Sequence, residues 1–159
     1  MKHLFIARHG EYGDDDRIDE NGIKQIDILG QEIKRIVDES STYIITSVIA
    51  RALDSSRILQ AKLKSPLEEV PYISTIEDNG PTDIYEFAED NNRRMMKIIL
   101  EKGNKADALI ILTHYEITEA FQEYFLLTKF GQKQRITGIE KRQAVHFNLE
   151  ERTYQIIPR

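Results

Sequence analysis

The sequence predicts a three-layer α/β/α domain with a mainly parallel sheet. Three observations carry that expectation. Short apolar runs at Leu4–Ala7, Tyr43–Thr46 and Ala108–Leu112 alternate with longer segments whose apolar residues recur at helical spacing. The runs are nearly continuous rather than alternating, as in parallel strands covered on both faces. The resulting order, β-α-β-α-β-α-β-α-β-β, is that of a wound α/β unit with right-handed crossovers. The 159 residues suit one domain over 1–159 with one sizeable core.

Taken in order, residues 2–8 read as a buried strand ending in Arg8-His9-Gly10. Residues 11–19 form a loop with the run Asp14-Asp15-Asp16. That run reads as solvated, because Arg17 and Ile18 fall where an EF-hand needs ligands. The competing reading is a lid whose charge selects among substrates. Asp19 is placed to cap a helix starting near Glu20. Its apolar face is Ile23, Ile26, Leu29 or Gly30, Ile33 and Ile36-Val37, ending near Asp38. Tyr43–Thr46 is a second strand, closed by Ser47, and a helix follows from about Ala50 to Leu63. Glu69–Ile73 is expected to be a short third strand. Its loop holds Glu77-Asp78-Asn79-Gly80-Pro81, and a helix runs from Thr82 or Asp83 to Lys102 with Ile84, Phe87-Ala88, Met95 and Ile98-Ile99 inward.

Asp107–Thr113 is the most apolar strand and belongs near the sheet centre. His114 ends it, and a helix begins at Tyr115 or Glu116 with Ile117, Phe121 and Tyr124-Phe125 inward. Lys129–Arg142 reads as a loop with five basic residues against Glu140, either a solvated connection or a substrate-facing rim. Ala144–Leu149 and Tyr154–Ile157 are the last strands. His3, far from its strand's carboxyl end, is assigned a plain structural or surface role, and His146, at mid-strand, a packing role.

Composition narrows the function classes. The chain is 40% hydrophobic and 31% charged, the profile of a globular domain, and no apolar run is long enough to cross a bilayer. Arg8 interrupts the first apolar stretch, so the amino terminus lacks signal-peptide shape and a cytoplasmic location is expected. Without cysteine there are no disulfides or thiolate metal sites. A net charge of −5 argues against a nucleic-acid partner, which needs a basic face, but not against a locally positive cleft.

The strand ends carry the chemistry. Parallel strands bring their carboxyl ends to one edge of the sheet, where ligands bind in open α/β folds. There the sequence puts Arg8, His9 and Gly10, then Arg51 just past the second strand, then Glu77 and Asp78 past the third, then His114 and Tyr115. Gly10 lets the backbone approach closely or take φ > 0. An arginine in the first turn of a helix opposes the helix dipole, which points to an anion beside Arg51. Two guanidiniums can hold phosphoryl oxygens bidentately. A neutral His9, one nitrogen fixed by a backbone carbonyl, can attack phosphorus. His114 can donate to oxygens where charge builds. Glu77 or Asp78 could supply the leaving group's proton. A zinc site on the two histidines is the competitor, but it sets two arginines against a divalent cation, so neither metal nor other cofactor is expected.

These residues resemble a known family. Leu4-Phe5-Ile6-Ala7-Arg8-His9-Gly10-Glu11 is similar to the signature of the histidine phosphatase superfamily, the phosphoglycerate mutase-like proteins. Ile18–Gln25 resembles its Leu-Thr-x-x-Gly-x-x-Gln helix start, Ser47–Ala52 its Ser-Pro-x-x-Arg-Ala segment, and Ile110–His114 the strand that delivers its second histidine. The likeness runs in order from residue 2 to about 125. Val48 stands where the family has proline and Tyr115 where it often has glycine. Ile76–Gly80 matches the donor segment loosely, with Asp78 in the acid's register and Glu77 beside it.

The resemblance implies a phosphoglycerate mutase-like fold and a metal-independent phosphatase acting through a phosphohistidine on His9. Arg8, Arg51 and His114 would line the phosphate pocket, with Gly10 and Tyr115 at the substrate. In length the chain is most similar to the short phosphohistidine phosphatases. The expected substrate is a phosphorylated small molecule or a phosphoprotein, its bond a phosphomonoester or a phosphoramidate such as protein phosphohistidine. The alternative, motivated by Tyr115 and the acidic loop, is a phospho-ligand-binding regulatory module of the same fold with little or no turnover. No nucleic-acid or membrane partner is expected.

Overall fold

The computed structural model describes residues 1–73, 84–136 and 139–159. Its strands are β1 His3–Arg8, β2 Thr42–Thr46, β3 Leu67–Glu69, β4 Ala108–Thr113, β5 Ala144–Asn148 and β6 Thr153–Ile157. Its helices are α1 Glu20–Val37, α2 Ala50–Leu63, α3 Ile84–Lys102 and α4 Tyr115–Phe125. One sheet takes the order β3-β2-β4-β1-β5-β6. The first four strands run parallel, and β5 and β6 complete the edge antiparallel.

Side-chain alternation along the strands makes the three layers. Leu4 and Ile6 of β1 and Leu109 and Ile111 of β4 join Met95, Ile98 and Ile99 of α3 and Ile117, Phe121 and Phe125 of α4. The intervening Phe5, Ala7, Ile110 and Leu112 face the other way, onto Ile26, Leu29 and Ile33 of α1 and Ala52 and Leu59 of α2. Strand β4 is buried along its whole length, in keeping with a central place.

Local chemistry sets the boundaries. Asp19 caps α1, its side chain accepting from Gly22 N–H at 2.7 Å. The third strand is earlier than Glu69–Ile73. It pairs Leu67–Glu69 with Ile44–Thr46, and Val70 N–H makes one more bond, to Thr46. Pro71 then has no N–H to donate, so pairing stops and Pro71–Ile73 turns as a 3₁₀ helix. Lys129 belongs to a wide π-type turn, Leu126–Phe130, that continues α4 until Gly131 ends it at φ 70°. Two residues expected inward are exposed, Ile23 and Tyr124. In the first turn of α1 it is Gly22 that faces inward, against the backbone of Glu11. The start of α3 at Thr82 or Asp83 lies outside the described residues.

His3 opens β1 at the end of the sheet opposite the parallel strands' carboxyl ends, and His146 pairs with Phe5 at mid-strand. His146 stacks on Phe5 with centroids 4.5 Å apart, and its Nε2 lies 3.0 Å from Nδ1 of His3. Burial, with His3 adding to it, pushes the His146 pKa down to about 4.

Candidate active site

Register assembles the site. Arg8 pairs with Thr113 across β1 and β4, and Thr46 pairs with Leu112 across β2 and β4. The three strands therefore finish together, and the residue after each one is His9, Ser47 or His114. All three are buried. The imidazoles of His9 and His114 lie 5.3 Å apart, centroid to centroid.

The tautomer of His9 follows from its contacts. Its Nδ1 is 2.8 Å from the carbonyl oxygen of Gly10, which can only accept, so Nδ1 carries the hydrogen. Nε2 therefore presents a lone pair, and Arg51 Nε donates to it at 3.1 Å. Burial drives the His9 pKa down to about 4; the Gly10 bond opposes this, while Arg51, Arg8 and Lys141 reinforce it. Burial likewise lowers His114, to about 3, followed by the effects of His9, Arg51 and Arg8. Both rings are neutral at pH 7.

Cations surround the two rings. The Arg8 guanidinium lies over the Tyr115 ring at 5.0 Å and donates from Nη1 to Ile139 O at 2.7 Å. Arg51 lies over the Tyr12 ring at 4.8 Å, and Lys141 Nζ approaches the same ring at 4.6 Å. The Tyr12 ring in turn meets the edge of His9, 5.2 Å between centroids. The pocket is thus positive within a protein of net charge −5. Lys141 is also paired with Glu11 at 2.6 Å. Arg51 is occupied as well: its Nη1 donates to the Asp16 carboxylate.

Close backbone packing holds the turn after His9. Gly10 N–H donates to Ser55 Oγ, whose hydroxyl donates to Arg51 O. A Cβ on Gly10 would lie 2.7 Å from Gly22 O, so this glycine is required for approach to Gly22 and does not have positive φ. Gln25 accepts from Glu11 N–H at 3.0 Å and ties the same turn to α1.

The structure brings together Arg8, His9, Gly10, Arg51, His114 and Tyr115 as the strand ends suggest. Glu77 and Asp78 lie outside the described residues. Of the acidic run, Asp16 reaches Arg51, while Arg17 ties the loop to Asp54 of α2 through contacts of 2.7 and 2.8 Å. At the end of the basic loop, Ile139 O accepts from Arg8 and Lys141 lies over the Tyr12 ring. Charge gave no signal for Tyr12, Ser47 or Ser55. For Ser47 and Ser55 a signal was available, since they close a strand and follow Arg51 by one helical turn.

No protein-family model matches the chain, and no curated protein sequence matches it. Solved structures do. YhfR from Bacillus stearothermophilus superposes with a TM-score of 0.69 at 15% identity, over 98% of this chain and 95% of that one. A phosphoserine phosphatase from Entamoeba histolytica, in complex with 3-phosphoglyceric acid, gives 0.62 at 17% identity over 99% and 95%. A provisionally assigned phosphohistidine phosphatase, SixA, from Agrobacterium tumefaciens gives 0.66 at 12% over 98% and 95%. The fold is that of the histidine phosphatases, the phosphoglycerate mutase-like proteins.

Proposed function

We propose that the protein is a metal-independent phosphatase that works through a phosphohistidine on His9. The observation that carries this is the lone pair on His9 Nε2, fixed by Gly10 and ringed by Arg51, Arg8 and the second imidazole. That is what an in-line attack on phosphorus needs, since phosphoryl transfer asks mainly for positioning and charge neutralisation. A metal at His9 Nε2 would have to displace a guanidinium donor, so the donor set favours an anion.

The steps balance without a cofactor. Substrate phosphate displaces Asp16 and takes the Arg51 donors. The Nε2 lone pair forms the P–N bond as the bond to the leaving oxygen or nitrogen breaks. Arg8, Arg51 and His114 hold the phosphoryl oxygens. Glu77 or Asp78 is the proposed proton donor for an alkoxide; a phosphoramidate nitrogen leaves with less help. Water then attacks phosphorus and the P–N bond breaks; water's proton returns to the carboxylate that protonated the alkoxide, or passes to the released phosphate where no acid was used, and His9 returns as the Nδ1–H imidazole. Three side chains around the site, Tyr12, Val48 and Tyr115, are exposed. They offer an apolar and aromatic surface to a phosphorylated side chain or a small phosphorylated molecule. The likeness to phosphatases of phosphoserine and phosphohistidine supports both kinds of substrate.

The test is turnover of an aryl phosphate with and without EDTA, together with a rapid-quench trap for acid-labile phosphoenzyme. EDTA-insensitive turnover that is lost in His9→Ala is expected. Absence of activity on phosphohistidine protein, phosphoserine, sugar phosphates and aryl phosphate would refute it. The Asp16 carboxylate on Arg51 favours one second reading, a phospho-ligand-binding module with little turnover. Phosphate binding without trapped phosphoenzyme would decide for that.

A further inference from the structure

Ser47 follows β2 as His9 follows β1 and His114 follows β4, and it is fully buried. Its Oγ accepts from Ile49 N–H at 3.2 Å and lies 2.9 Å from His114 Nε2. A hydroxyl has one proton to give. Among the described residues, His114 Nε2 is the acceptor within reach of the Ser47 hydroxyl. If instead Nε2 carried a hydrogen and donated to Ser47, the serine proton would be buried with no acceptor, an arrangement that native structures avoid. The Ser47 hydroxyl therefore donates to Nε2. A neutral ring that accepts at Nε2 carries its hydrogen on Nδ1. That atom is buried and, among the described residues, has no hydrogen-bond partner.

We propose that Ser47 is a positioning residue that fixes His114 as the Nδ1–H tautomer, and that this N–H is a donor held ready for a phosphoryl oxygen at His9. The second part rests on the phosphatase reading; the tautomer does not. The two rings then carry the same tautomer for opposite ends. Gly10 takes the Nδ1–H of His9 and leaves its Nε2 lone pair to react. Ser47 engages the Nε2 lone pair of His114 and leaves its Nδ1–H to bind. Without Ser47, His114 could place its hydrogen on Nε2 and turn an Nδ1 lone pair toward an anion, which is repulsive. The donor would be lost without any change in ring position.

The experiment is a ¹H–¹⁵N multiple-bond NMR spectrum of the full chain labelled at histidine, at pH 7.5. Only four histidines contribute, and His114→Gln assigns the signal. The wild-type spectrum should show His114 protonated on Nδ1 and accepting on Nε2. Ser47→Ala should give a mixture or the other tautomer, with orthovanadate binding weakened about 10- to 100-fold, the usual range for one donor to a charged acceptor. Ser47→Thr keeps the hydroxyl and separates its loss from loss of packing. A wild-type His114 protonated on Nε2, or an unchanged Nδ1–H tautomer in Ser47→Ala, would overturn the proposal. The wild-type spectrum decides the tautomer even where the alanine variant fails to fold. A chain with the expected tautomer but no phosphoenzyme would count against the phosphatase reading instead.

Discussion

Asp16 is where a charge change should improve the site. Its carboxylate holds an Arg51 nitrogen that a phosphoryl oxygen would use, so any phosphate must first displace it. Asp16→Asn removes the charge and keeps the shape. Residue 16 has φ 61°, a left-handed conformation that asparagine adopts about as readily as aspartate, so the loop should survive. The Arg51 side chain is 13% exposed and that of Asp16 43%, which makes this a half-solvated pair rather than a buried one. Such pairs are worth about 0.5–1 kcal/mol after solvent screening. Relief of that contact predicts orthophosphate or orthovanadate binding about 2- to 5-fold tighter. Repulsion between the carboxylate and a dianion acts in the same direction.

The assay is isothermal titration with orthophosphate at low salt, repeated at about 0.3 M salt. The advantage of the variant should shrink as salt rises, because the interaction is partly solvent-exposed. Asp54→Asn, which frees Arg17 and loosens the loop, should move affinity in the same direction by less. A variant at position 16 that binds phosphate no better than wild type, or worse, would show that Asp16 supports the pocket rather than competing for it.

Three further outcomes follow from the same geometry. Because the folded-state pKa of His9 is lowered to about 4, its ring stays neutral well below 6.5; once kcat/KM is corrected for the substrate's own second ionisation at about 6, it should stay flat from pH 7.5 to about 5.5, and a remaining break near 6.5 would contradict the assigned environment. Gly22→Ala places a Cβ 2.1 Å from Glu11 O and 2.5 Å from Ile18 Cγ1; a loss of about 2–3 kcal/mol and a Tm lower by roughly 5–10 °C are expected by circular dichroism, whereas Gly13→Ala, with its nearest contact at 3.4 Å, should be nearly neutral. His146 has its folded pKa lowered to about 4, so the unfolded chain takes up the proton first as pH falls; its stabilisation is complete above 6.5 and declines toward 4, and between pH 7.5 and 5.5 wild type should lose about 1.4 kcal/mol more than His146→Asn in urea unfolding.

What was legible in the sequence is what depends on period and on the direction of parallel strands. The apolar runs locate β1, β2 and β4, and the residues that follow them meet at one edge because all three strands point the same way. Position along the chain was less legible where a single atom decides it. The missing N–H of Pro71 stops the pairing, so β3 ends at Glu69 rather than at Ile73, and a π-type turn continues α4 through Lys129 until Gly131 ends it. Tyr12, Ser47 and Ser55 escaped for another reason, and Lys141 reads only as one of five basic residues in a loop. Tyr12 and Lys141 meet at the site through loops whose paths follow from Arg17–Asp54, Gln25–Glu11 and Gly10–Gly22 contacts, none of which leaves a periodic trace. Ser47 bears no charge, so a reading based on charge passes over it.

The core and the site are fixed by one constraint. Pairing His3 with Ala108 through Arg8 with Thr113 sends Leu4, Ile6, Leu109 and Ile111 to one helical layer and Phe5, Ala7, Ile110 and Leu112 to the other. A slip of one residue would reverse one strand's faces relative to its neighbours and set its inward set against the wrong layer. Each buried Ile, Leu or Phe in that set is worth roughly 1.5–3 kcal/mol, so the register is held by many side chains at once. The same slip would shift His9 by about 3.3 Å along the strand relative to His114, enough to remove one ring from a phosphoryl group held by the other. Precision at the catalytic edge is therefore a by-product of burial in the middle of the sheet. Substitutions such as Ile110→Ala should accordingly lower stability without altering the His9–His114 geometry in the molecules that remain folded, and a drop in activity that tracks the folded fraction is the expected signature.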